Sequence, residues 1–69
     1  MSYLKQRIGQ MIKRLRQTKG LTQAELAKKA KVTRPYITML ESGVRKAPSL
    51  PMLQRLAKAL GVPVAALLE

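Results

Sequence analysis

The chain has 69 residues, with 14 Lys and Arg against 3 acidic residues, a formal net charge of +11, and neither Cys nor His nor Asp. One domain over 1–69 is the expectation, near the lower limit at which a single apolar core offsets chain entropy. The inventory excludes disulfides and thiolate metal sites and lacks the clustered groups that acid/base catalysis and metal ligation need, so no enzyme, cofactor or metal is expected.

Leu4, Ile8, Met11, Ile12 and Leu15 recur at helical spacing with Lys5, Lys13 and Arg14 between them, which predicts an amphipathic first helix ended by Lys19-Gly20. Thr22 and Glu25 have the spacing of a capping box, and Leu21 before the cap with Leu26 after it forms a hydrophobic staple. A second helix is expected over about 22–30. Val32, the cap Thr33 and Ile37 repeat the staple, and Gly43 supplies a left-handed exit after Ser42, giving a third helix over about 33–42. Pro35 falls at the second helical position, where no intrahelical donor is lost, although it disfavours helical geometry at Arg34.

Val44 to Pro48 reads as a loop carrying Arg45 and Lys46. Ser49 caps a fourth helix in which Leu50, Leu53, Leu56, Ala57 and Leu60 form one apolar stripe, and Gly61 stops it. Pro63 then begins a short terminal helix, Val64 to Glu69. Without strand alternation or internal repeat, the expected architecture is all-α, a compact unit of five helices. Every apolar run is too short for a leader or a membrane span, so no membrane association and a cytoplasmic location are expected. The excess of Lys and Arg points instead to a polyanionic partner.

The segments Leu21-Thr22-Gln23-x-Glu25-Leu26-Ala27, Tyr36-Ile37-x-x-Leu40-Glu41-x-Gly43, Pro48-Ser49-Leu50 and Leu56-Ala57-Lys58-Ala59-Leu60-Gly61-Val62 resemble the Cro/C1-type helix-turn-helix family of phage repressors and small bacterial regulators. The resemblance covers roughly residues 8–68. It implies a lambda-repressor-like fold and sequence-specific binding of double-stranded DNA by a transcriptional regulator, a repressor, in the bacterial nucleoid or a phage-infected host. The third helix, 33–42, would enter the major groove.

Carried over onto this chain, the family's base-reading positions fall on Thr33, Arg34, Pro35 and Met39, with Thr38 beside them on the groove-flanking side. Arg34 can fork onto guanine O6 and N7, a contact worth ~1–3 kcal/mol of discrimination, while Pro35 and Met39 offer apolar contact to a thymine methyl. The alternative for Arg34 is a grip on phosphate. Gln23 would bond a phosphate and brace the recognition helix, Tyr36 would place its hydroxyl near the DNA backbone, and Arg45 and Lys46 would lie along it. Lys5, Arg7, Lys13, Arg14, Lys28, Lys29, Arg55 and Lys58 are expected to supply long-range field and solubility rather than individual contacts.

Two further expectations concern stability. Glu41 in the last turn of the third helix opposes the helix dipole, so a specific cation is expected beside it, and the family's partner is Arg16. Where the family usually carries Gly in the turn, this chain has Lys31, for which left-handed geometry costs roughly 1–2 kcal/mol.

One recognition helix reads few base pairs, so a homodimer is expected, at least on DNA, with Val64 or Leu68 at its surface and Leu67 closing the core. No small-molecule ligand domain is expected. Within the same framework, the chain could be an antitoxin that pairs with a toxin and represses its own operon, or a controller of a restriction–modification system. From other classes, a protein–protein adaptor could use the same fold, and the cationic helix from Leu4 to Arg16 could lie on a membrane surface.

Overall fold

The computed structural model describes residues 2–44 and 48–68, with side chains from residue 7 onward. Arg45, Lys46 and Glu69 lie outside the described residues, as do the side chains of Leu4 and Lys5. Four α-helices form among the described residues: α1 (Ser2–Thr18), α2 (Gln23–Ala30), α3 (Arg34–Ser42) and α4 (Leu50–Leu60).

The starts of α2, α3 and α4 are set by a hydroxyl that satisfies an orphan amide of the first turn. Thr22 accepts from the Glu25 amide and Glu25 accepts from the Thr22 amide at 2.8 Å, completing the capping box. That bond to the Thr22 backbone, then the Thr22 hydroxyl, holds the Glu25 carboxyl below its ordinary pKa. Thr33 accepts from the Tyr36 amide and Ser49 from the Met52 amide, with Pro35 and Pro51 in first turns where no donor is lost.

All four helices end alike, in a pair of reverse bonds around a left-handed residue followed by an apolar one. Lys31 N–H reaches Lys28 O at 3.2 Å and Val32 N–H reaches Ala27 O at 2.9 Å; the same pattern recurs at Gly20-Leu21, Gly43-Val44 and Gly61-Val62. Lys31, at φ 60° and ψ 45°, is the one non-glycine residue with positive φ among the described residues. Leu21, Val32 and Val62 fold back onto the core, whereas Val44 is 73% exposed.

α1 packs across α3, α2 packs on α3 and α4, and the chain after α4 closes over α4 and α1. Ile12, Leu26, Ile37, Leu56, Leu60 and Leu67 fill the centre and are fully buried. α1 and α3 approach closely at Gly9, where an added Cβ would overlap the Leu40 carbonyl oxygen and stand 2.9 Å from its carbonyl carbon.

Three expectations need correction. The fifth element is a 3₁₀ turn, Val64–Leu67, held by i to i+3 bonds from Ala66 to Pro63 and from Leu68 to Ala65. Pro63 has no hydroxyl to cap a longer α-helix, and seating Leu67 in the core needs only this one turn. Leu50 does not join the apolar stripe but is 60% exposed, because the first turn of α4 stands beyond the core and burial begins at Met52 and Leu53. Arg55 is a structural residue rather than a source of field alone. Its Nε and Nη2 donate to Ala30 O at 3.2 and 2.8 Å, and Nη2 also donates to Lys31 O at 2.7 Å. These carbonyls end α2 without intrahelical donors, and a cation is favourable there.

Candidate nucleic-acid interface

The surface that matters is built by α2, the turn at Lys31, and α3. Burial of Ile37 and Leu40 fixes the rotation of α3 about its axis. The same rotation leaves Thr33, Arg34, Pro35, Thr38 and Met39 exposed together along its N-terminal and outer edge. Tyr36 is half-buried, its ring packed against the core.

α3 is held from behind by polar bonds as well as by packing. Arg16 on α1 meets Glu41 on α3 in a fork, Nε to Oε2 at 2.7 Å and Nη2 to Oε1 at 3.1 Å. The two side chains are 10% and 4% exposed. Arg16 Nη1 also donates to Leu21 O at 2.7 Å, which ties the exit of α1 into the same cluster. The hydrogen bond to Glu41 raises the Arg16 pKa above its already high ordinary value, overcoming the opposing effect of burial. The guanidinium therefore stays charged.

Gln23, the first residue of α2, extends this cluster outward. Its Nε2 donates to Glu41 Oε1 at 3.1 Å, and its Oε1 accepts from the Thr38 hydroxyl at 2.9 Å. The resemblance implies a bracing role for Gln23 but names neither of these partners, and nothing local does, since neither is near it in the chain. It also misses Gly9, although an isolated Gly between Ile8 and Ile12 on an apolar helix face is a legible sign of close approach.

Beside these residues lies an open depression of about 450 Å³ lined by Arg16, Thr22, Gln23, Ala24 and Arg34. The N-terminus of α2 opens into it, and orphan amides there carry partial positive charge. Arg34 sits at its edge with no described carboxylate against it. Glu41 is buried in its fork, and Glu25, exposed at the start of α2, is the other carboxylate among the described residues. Lys and Arg far outnumber surface carboxylates there, so the net charge of the described surface is positive. Arg45 and Lys46, expected beside this surface, lie outside the described residues.

Comparison with known proteins bears on this arrangement. Over 62 residues the chain is 39% identical to the HTH-type transcriptional regulator SinR of Bacillus subtilis, covering 90% of this chain and 56% of that protein. Over 60 residues it is 43% identical to the immunity repressor protein of Bacillus phage phi105, covering 87% and 41%. The chain thus spans about half the length of these relatives. Among solved structures it is similar to SinR, the master regulator for biofilm formation, in complex with DNA, with a TM-score of 0.85 at 39% identity over 90% of this chain and 98% of that one. It is also similar to the restriction–modification controller protein C.AhdI from Aeromonas hydrophila, with a TM-score of 0.90 at 33% identity over 96% and 94%. Residues 12–67 match the helix-turn-helix family model HTH_3, and the chain belongs to that family.

Proposed function

We propose that this chain is a sequence-specific DNA-binding transcriptional regulator, a repressor, that reads the major groove of double-stranded DNA with α3. The observation that carries this is the joint exposure of Thr33, Arg34, Pro35, Thr38 and Met39 on a helix whose other face is locked by Ile37, Leu40 and the Arg16–Glu41 fork. The likeness to SinR, whose structure was solved with DNA, supports the same reading.

In this reading Arg34 forks onto a guanine, and Pro35 and Met39 meet thymine methyl groups. Gln23 points a second Nε2 hydrogen toward a phosphate seated at the N-terminus of α2. Tyr36, Arg45 and Lys46 position the duplex without specifying it. Two copies pair on adjacent half-sites, using Leu68, 57% exposed, and the partly buried Val64. A repressor built this way acts in the compartment that holds the genome, by occupying its operator.

The test is selection of bound duplexes from a random pool, followed by salt titration on the winner. A protein making ~6 phosphate contacts shows log affinity falling with log salt at a slope of about −5. Arg34→Ala is expected to flatten one guanine position of the selected half-site. A uniform loss over all sequences would assign Arg34 to phosphate instead, and absence of binding at low salt would end the DNA reading.

A further inference from the structure

Thr38 is exposed on the reading edge of α3, yet its one hydroxyl proton points inward. We infer that Thr38 faces the groove as a hydrogen-bond acceptor and there selects a base with an exocyclic amino group, adenine or cytosine. This rests on the duplex-binding reading above. The polarity is imposed by the chain of bonds behind it.

Glu41 begins that chain. Gripped by the Arg16 fork at 2.7 and 3.1 Å, its carboxylate can only accept. The Gln23 atom 3.1 Å from Glu41 Oε1 is therefore the amide nitrogen, because the flipped amide would press two acceptors together. The amide is planar, so Gln23 Oε1 looks the other way, toward Thr38 Oγ1 at 2.9 Å. A carbonyl oxygen cannot donate, so Thr38 must. The other atom within reach of Oγ1 is the Arg34 carbonyl oxygen at 3.2 Å, which is again an acceptor. Whichever of the two receives the proton, it is directed into the protein.

What Thr38 turns outward is thus lone pairs. In the major groove the donors are adenine N6 and cytosine N4, whereas guanine and thymine present O6, N7 and O4 as acceptors. Thr38 accordingly senses which strand carries the amino group, and it is repelled by a keto oxygen or a phosphate. Arg34, a pure donor one helical turn earlier, has the opposite preference. The two together give α3 an alternating polarity that a duplex must match.

Duplex selection from a random pool with wild type, Thr38→Val and Thr38→Ser tests this. Wild type is expected to yield one half-site position favouring A or C over G or T by roughly two- to tenfold, the range of one hydrogen bond. Thr38→Val should abolish that preference while keeping the guanine of Arg34, and Thr38→Ser should retain both. A preference for G or T that depends on the hydroxyl, or a selected site unchanged in Thr38→Val, would overturn the inference while leaving duplex binding intact. Wild type that binds no duplex would end both. An independent arm uses the free protein: the Gln23 side-chain amide resonances should shift in Thr38→Val and return toward wild type in Thr38→Ser. If they do not move, the relay does not exist.

Discussion

At Lys31 a side chain occupies backbone geometry that suits glycine, with φ at 60°. The left-handed conformation costs an L-residue roughly 1–2 kcal/mol, partly offset in glycine by its larger loss of backbone freedom on folding. Lys31→Gly is therefore expected to stabilise the fold by about 0.5–1 kcal/mol in chemical denaturation. A decrease would mean that the aliphatic stem of Lys31 packs favourably enough to outweigh its strain. Arg16 is the opposite case, a charge committed to one carboxylate and to the Leu21 carbonyl in a nearly dry site. Arg16→Met leaves the Glu41 carboxylate with only the Gln23 amide as donor, and breaking one side of such a pair costs about 3–5 kcal/mol. Thermal melting measures it, and an unchanged Tm would show that the fork contributes nothing net. The pairing of Arg16 with Glu41 is legible only through family resemblance, because nothing within either helix reveals which side chains meet across α1 and α3. Arg55 has even less signal in the sequence. Its three bonds exist because α4 happens to run beneath the carbonyls that end α2, 24 and 25 residues away.

Between elements, the decisive contact is the crossing of α1 over α3 at Gly9. In a free helix Gly to Ala is favourable by roughly 0.5–1 kcal/mol. Here the added methyl meets backbone rather than a yielding side chain, and overpacking of that kind costs typically ~1–3 kcal/mol. Gly9→Ala is thus expected to lower Tm and, by displacing α3, to weaken duplex binding. A rise in Tm would show that the helices can separate without penalty. At the start of α2, Glu25 carries a lowered pKa, so its contribution is complete above its ordinary value of 4.5 and disappears as pH falls through the lower folded value. Glu25→Gln should melt slightly lower at neutral pH and lose that part of the acid sensitivity, as a pH series of melts would show. Helix boundaries are legible because each cap involves residues three apart in the chain, as Thr22 with Glu25 or Ser49 with Met52. The exposed edge of α3 is legible for the same reason, since Ile37 and Leu40 fix its phase. Exposure of Leu50, the 3₁₀ form of Val64–Leu67 and the Gln23–Thr38 bond are not, because each depends on where another element lies.

For the whole molecule, a net charge of +11 on 69 residues is self-repulsive. Added salt screens that repulsion, so the free protein is expected to gain Tm as NaCl rises while its affinity for duplex falls. The two responses have opposite signs and can be read from one salt series of melts with and without DNA. A Tm that drops with salt would show that attractive pairs such as Arg16 with Glu41 outweigh the repulsion. The Arg55 clamp has a consequence for genetics. It fastens α4, which carries no reading residue, to the carbonyls that end α2 at the turn leading into α3. Substitutions at position 55 are expected to loosen that turn and so change how the reading helix is presented without removing any reading side chain, and second-site suppressors of a mutated operator should therefore arise there.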